Sequence, residues 1–414
     1  MTQNNTKKEE VNLIWRPSNL KDEVIGPNNP AINAFEDRGR YTSLAREVIQ
    51  NSLDAAKKRI VDDASNTTWQ SESEPIEITF ETITIRTSDL PDYQNHKKLF
   101  KACMEGPDSD TPRNKKVKQS LDCLESEEIR VLKIQEESGT KGMGSIEKDK
   151  TIKESQDLHN FFFAHGSDNK KENDLGSHGT GKNAYIGTSL ISTVIANTRF
   201  KNESGIEETL TLGHTSYMTA KTERRLRYQS NYWYLSDQKD DYFIPLTNND
   251  MSSGHNWLIR DKDTCGTTFF IIGIEDEQWQ DEVVIATMSS FFLFIIEKKL
   301  RVKVGSTIID SDTIGLILER YETKDLTKIL KESHLLDEYK RIKYFIKCYY
   351  STLQTTVNVS TIGNCKIKLY ILKDDEDLRS SAAKHVVLIR KGFVVCRCDK
   401  SDSAVSLSSS SFWV

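Results

Sequence analysis

Apolar residues recur along this chain at two spacings, and each change of spacing marks an element. Leu44, Val48, Leu53 and Ala56 repeat at helical intervals, which predicts a helix capped by Thr42 or Ser43 and running to about Ile60. Residues 75–86 alternate instead, with Ile76, Ile78 and Phe80, then Ile83 and Ile85, as a half-buried strand does. A second strand is expected over 129–134. Between the two, residues 91–128 are rich in Lys, Asp and Glu, carry Gly106-Pro107 and Pro112, and read as an insertion that is helical or mobile.

Downstream, helices are expected over 151–164, ending in Phe161-Phe162-Phe163, and over 184–196. Strands are expected over 208–218, 226–235 and 267–274. A helix over 281–298 follows from Val284, Met288, Phe291 and Ile295, then a strand over 301–309 and a helix over 312–330. The last third holds short β-branched or aromatic runs at 342–350, 364–372 and 386–395, read as strands. Residues 1–40 form an extended arm with Trp15-Arg16-Pro17 and Gly26-Pro27, and 400–414 a serine-rich tail that cannot build a core, with a possible anchor at Phe412-Trp413. A composition shift over 275–281 places the domain boundary there.

A chain of 414 residues suggests two or three domains. A net charge of -5 and a pI near 6.0 give no overall pull toward nucleic acid or anionic membrane. The apolar run over 283–296 is shorter than a bilayer span, and the first ten residues lack a signal-peptide core, so a cytoplasmic location is expected. The seven cysteines form no C-x-x-C pair. Cys396 and Cys398 read as one side of a strand, and reduced thiols without structural zinc are expected.

If the first helix forms, Glu47, Asn51 and Asp54 share one face, either as a solvated stripe or as a site. Two glycine-rich stretches bear on that choice. Residues 135–144 read Gln-Glu-Glu-Ser-Gly-Thr-Lys-Gly-Met-Gly after a predicted strand; residues 176–183 read Gly-Ser-His-Gly-Thr-Gly-Lys-Asn and open a predicted helix. Bare backbone N–H groups at such a turn bind phosphate. The second stretch also spells the Walker pattern. However, Asn183 stands where Ser or Thr would hold magnesium, and the residues ahead of it, 167–174, are almost wholly polar where a Walker loop follows a buried strand.

Taken in order, Glu47-x-x-x-Asn51-x-x-Asp54-Ala55, the loop 135–144, G-x-x-G-x-G over 176–181 and Gly266-Thr267 before a strand resemble the GHKL superfamily of gyrase-type topoisomerases, large heat-shock chaperones, histidine kinases and MutL. The resemblance implies an α+β fold: a Bergerat two-layer α/β sandwich over 41–275, with a mixed sheet, helices on one face and a lid near 139–176 hinged at Gly142, Gly144, Gly166 and Gly176. A smaller transducer-like domain would follow over 281–399.

It implies ATP and Mg2+ as cofactors and an ATPase activity, with Glu47 as general base and Asn51 as magnesium ligand. Asp54, Gly139, Gly142, Gly176, Gly179, Gly181 and Lys182 would surround the nucleotide. The family's adenine motif, Asp-x-Gly-x-Gly, is represented here by Glu137-Ser138-Gly139, with one extra residue before Gly142 and Glu136 as a rival; Thr267 has Thr268 as its competitor. Lys391, with Arg390 and Lys299 behind it, is the candidate basic residue reaching the γ-phosphate.

By the same resemblance, to bacterial members more than to chaperones or repair proteins, ATP would drive homodimerisation and act on a protein partner in DNA maintenance or phage defence. Nucleic acid stays open as a partner and a membrane does not enter. The histidine-kinase branch is set aside because the nucleotide motifs come first in the chain. Two alternatives remain: a nucleotide-binding interaction module of the same fold with weak catalysis, and a P-loop NTPase using residues 176–183.

Overall fold

The computed structural model describes residues 13–17, 39–56, 59–61, 67–69, 75–104, 110–144, 157–163, 181–202, 204–218, 232–239, 242–251, 253–275 and 278–322, parts of 336–350, and the strands between 353 and 398. The chain is a mixed α/β protein of two compact units, Met1–Glu277 with Lys303–Ser306, and Gln278–Val302 with Thr307–Val414.

In chain order the first unit contains β1 (Trp15–Pro17), α1 (Arg40–Asp54), the antiparallel pair β2 (Arg59–Val61) and β3 (Thr67–Trp69), β4 (Ile76–Arg86), α2 (Tyr93–Ala102), α3 (Pro112–Glu125), β5 (Glu128–Ser138), α4 (Asp157–Phe163) and α5 (Lys182–Thr188). It continues with β6 (Thr193–Lys201), β7 (Glu207–Ser216), β8 (Tyr232–Leu235), the antiparallel pair β9 (Asp237–Lys239) and β10 (Tyr242–Ile244), and β11 (Gly266–Ile272). Seven of its strands lie in the order β1-β8-β7-β6-β11-β5-β4, every neighbouring pair antiparallel. Residues 13–17 therefore do more than lead into α1: Trp15 is buried, and its strand closes the edge beside β8.

Side-chain alternation gives these strands two faces. On the front, Leu132 and Ile134 of β5 and Phe269 and Ile271 of β11 are buried on the side that carries α1 and α5, with the Tyr185 ring of α5 4.9 Å from Phe269. On the rear, Ile85, Ile129, Val131, Ile195, Phe270 and Ile272 form one apolar cluster with Leu99 and Phe100 of α2 and Val117, Leu121 and Leu124 of α3. Helices thus cover both faces, which corrects the two-layer expectation. The reason lies in the insertion: Val117, Leu121 and Leu124 repeat at helical spacing, Thr111 caps α3 by accepting from the Asn114 N–H at 3.1 Å, and Pro112 takes the first turn.

Helix α1 begins at Arg40, after Gly39 at φ 87°, so Thr42 and Ser43 are buried inside it and do not cap it. It stops at Asp54, short of Ile60, because Ala56 bridges to Thr140 and the Lys141 N–H donates to the Ala55 carbonyl at 3.2 Å. The helix expected over 184–196 is two elements. The Ser189 hydroxyl accepts from the N–H of Thr193 (2.9 Å) and Ile191 (3.3 Å), which turns the chain, and the β-branched run Thr193-Val194-Ile195 then pairs with β7 on one side and β11 on the other.

The second unit contains α6 (Trp279–Ile296), residues 300–302 of β12 (Leu300–Val304), β13 (Thr307–Ile309), α7 (Ile314–Glu322), the antiparallel pair β14 (Leu353–Val359) and β15 (Cys365–Ile371), and the antiparallel pair β16 (Val386–Arg390) and β17 (Phe393–Cys398). Helix α6 is long and apolar enough to cross a membrane by length and composition, and 78% of it is buried within the protein. The run 342–350, expected as a strand, is helical at its described residues up to Tyr349 and turns at Tyr350. Tyr339, Ile342 and Phe345 are buried at a three-residue spacing, and the Phe345 ring stacks 5.8 Å from Phe292. Lys391 and the tail lie outside the described residues, and so do the side chains of Arg390, Cys396 and Cys398.

Candidate functional site

Helix α1 packs on α5, and the glycine that opens α5 decides how closely. A methyl group on Gly181 would stand 2.1 Å from Glu47 Oε2, so the carboxylate rests on bare backbone. One turn along α1 stands Asn51, and on α5 the Tyr185 hydroxyl is fully buried, which raises its pKa and keeps it protonated. Asp54 is half-buried at the end of the helix. Lys182, next to Gly181, is buried, and its Nζ donates to the Phe162 carbonyl at 3.2 Å, tying α5 to α4; burial lowers its pKa to about 8. Around that tie, Phe161 packs on Tyr185 and Phe269 at 5.2 and 5.3 Å. The described piece of the expected lid is thereby anchored to the front of the sheet. Gly166, Gly176 and Gly179 lie outside the described residues, whereas Asn183 lies within α5.

The end of β5 supplies a second carboxylate. Successive residues of a strand face opposite ways, and here Glu136 takes the front with α1 while Glu137 takes the rear. Glu136 is buried; its Oε1 accepts from Ser52 Oγ at 2.8 Å, and its Oε2 accepts from Thr140 Oγ1 at 2.9 Å and the Thr267 N–H at 2.8 Å. Glu137 pairs with Lys262 at 3.0 Å and accepts from Gln135 at 3.3 Å. Burial pushes its pKa up, but Lys262, Thr79 and Gln135 outweigh that and hold it below its ordinary value. The same alternation separates the threonines: Thr267 lies beside Thr198 on the front, and Thr268 accepts from Arg260 on the rear.

The loop after β5 is fixed on several sides. Gly139 and Gly142 have φ of +84° and +73°, and a methyl on Gly142 would stand 2.2 Å from the Arg199 carbonyl oxygen. The Met143 N–H donates to Thr198 Oγ1 at 2.8 Å. The front of the sheet therefore gathers Glu47, Asn51, Gly181, Glu136, Thr140 and Thr267 on adjoining elements. Ser52, Thr140 and Arg260 carried no signal in the sequence: Ser52 follows Asn51 without a pattern of its own, Thr140 sits between glycines that draw the eye, and Arg260 is one of many charges in a polar loop.

This arrangement offers an acid on a glycine turn, an amide one helical turn away, and a buried carboxylate with three donors on its roughly four acceptor positions. One acceptor position is left for a further donor. Among the described residues no group of three or more His, Cys, Asp or Glu side chains could hold a metal by itself. Asn51 could contribute one oxygen to a magnesium ion that also takes phosphate oxygens, the manner in which Mg2+ binds to few protein groups. The element described ahead of residues 176–183 is the helix α4, where a Walker loop follows a strand. No protein-family model matches the chain, and a search of curated proteins finds no match.

Proposed function

We propose that the chain binds ATP with magnesium on the front of the sheet and hydrolyses it, as a Bergerat-type member of the GHKL superfamily whose nucleotide cycle drives dimerisation. The observation that carries this reading is the seat of Glu47 on Gly181. Two stretches more than 130 residues apart in sequence bring a proton acceptor onto the bare backbone of a glycine turn. In this role Glu47 takes the proton of the attacking water, and Asn51 offers its amide oxygen to the cation. The metal neutralises charge on the phosphates when bound. Glu136, in place of the aligned Glu137, offers its remaining acceptor position to the amino group of the base, with Thr267 beside it.

Turnover of ATP by Glu47→Ala and Asn51→Ala tests the site. Each should fall on the order of 100-fold or more, with Glu47→Ala keeping its affinity for ATP; wild-type rates in both would overturn the reading. Light scattering on a sizing column, with and without a non-hydrolysable ATP analogue and magnesium, tests the dimer, and an unchanged mass would remove that part. One observation favours the weaker-catalysis alternative. Lys182, which follows Gly181 directly, donates its Nζ to the Phe162 carbonyl. Tight ATP binding by calorimetry without phosphate release would select that alternative.

A further inference from the structure

The ladder between β11 and β5 ends at Thr268 opposite Gln135. In that register the next residues to face each other are Thr267 and Glu136, and their pairing is opened. The Thr267 N–H turns to the Glu136 carboxylate at 2.8 Å, and the Glu136 carbonyl accepts instead from Arg260 Nη2 at 2.5 Å. A guanidinium has taken the place of a strand. It is buried, and it also donates to the Thr264 carbonyl (3.1 Å), Thr264 Oγ1 (3.1 Å) and Thr268 Oγ1 (3.2 Å). Its own backbone N–H is held by Asn197 Oδ1 at 3.0 Å, and the Thr264 hydroxyl donates to the Glu137 carbonyl at 2.7 Å. Gly266 leaves the slot open, since a methyl there would stand 2.8 Å from Arg260 Nη2 and 2.9 Å from the Glu136 oxygen.

We propose that Arg260 is a positioning residue for base recognition, holding the opened pair so that the Glu136 carboxylate faces the front of the sheet. Arg260 lies on the rear and touches no ligand; it acts by satisfying the carbonyl that the ladder would otherwise take back. Only a planar, multi-donor cation reaches the Glu136 carbonyl and both groups of Thr264 at once. Lysine, with a single point charge, would let Thr267 N–H and the Glu136 carbonyl rejoin and would draw the carboxylate off its acceptor direction. The inference rests on the nucleotide reading above.

The test compares equilibrium binding of ATP and of purine riboside triphosphate, which lacks the 6-amino group, to the full chain with magnesium. Wild type should prefer ATP by about tenfold or more, as a site built to accept from a ligand donor does. Arg260→Lys should narrow the preference to about threefold or less, toward that of Glu136→Gln, and Thr264→Val should fall between. A purely structural role would weaken both ligands together and leave their ratio alone. Should Arg260→Lys fail to fold, Thr264→Val decides by the same ratio. A selective wild type with equally selective Arg260→Lys and Thr264→Val overturns the role of Arg260 and spares the nucleotide reading. A wild type that binds neither ligand, or both alike, overturns the base reading and this inference with it.

Discussion

Replacing Gly181 with alanine isolates the contact on which the catalytic reading depends. The backbone tolerates it, since Gly181 has φ -57° and ψ -29°, ordinary for any L residue. The new methyl would stand 2.1 Å from Glu47 Oε2, and ordinary contact begins at 3.4 Å, so the carboxylate must retreat by the difference, about 1.3 Å. Because the obstructing atom is the far end of a flexible side chain, the fold yields cheaply. A strained rotamer costs about 0.5–1.5 kcal/mol, and the lost freedom of the unfolded chain returns about 0.4–1 kcal/mol. Net stability should change by less than about 1 kcal/mol, a few degrees in Tm. Turnover should not be spared: misplacing a reacting group by about 1 Å costs on the order of 100-fold, or about 2.7 kcal/mol of barrier. Steady-state phosphate release beside a thermal melt reads both quantities. In a Glu47→Ala background the same change should have no further effect on turnover, because the group it displaces is gone. A Gly181→Ala protein that melts like wild type and turns over within about threefold of it would refute Glu47 as the base.

Gly142→Ala and Gly205→Ala form a matched pair. Both glycines have φ near +75°, but a methyl on Gly142 meets the Arg199 carbonyl at 2.2 Å while one on Gly205 meets open space. Urea melts should show a loss of about 1–2 kcal/mol at Gly205 and a distinctly larger one at Gly142, and equal losses would contradict the loop geometry. Leu124→Ala, deep in the rear cluster, should cost about 2–5 kcal/mol by the same measurement. His96 is fully buried against the Tyr217 hydroxyl, and burial lowers its pKa from 6.5 to about 3. The unfolded chain takes up a proton that the fold refuses, so this stability is whole above pH ~6.5 and is lost as pH falls toward 3, by on the order of 2 kcal/mol at pH 5. Melts at pH 7 and pH 5 should show a shallower fall for His96→Gln than for wild type, and parallel falls would show that His96 does not titrate this way.

The strands at Ile76–Arg86 and Glu128–Ser138 are legible because period-two alternation with β-branched residues has few other readings, and α1 because its apolar stripe is strong. What the sequence could not supply was direction at the ends of elements. Glu136 and Glu137 are equally good acids one residue apart, and only the pairing of β5 with its neighbours says which faces α1. The run after Thr188 looks helical by composition until Ser189 is seen to hold two backbone donors and turn the chain. Residues 342–350 mislead in the opposite sense, since aromatic and β-branched residues there serve a buried helical stripe and tertiary packing outweighs propensity. Arg260 was beyond reach because its function is to mend an interrupted ladder, and nothing in a sequence marks where a ladder stops.

The stretch from Tyr93 to Glu125 reads like a detour that a protein engineer would trim. Its helices α2 and α3 instead wall the back of the sheet, so excision would bare Ile129, Val131, Phe270 and Ile272 to water as a contiguous greasy plate. A shortened version should precipitate or pair with itself through that plate even with every residue of the candidate site intact, and any loss of activity would say nothing about chemistry.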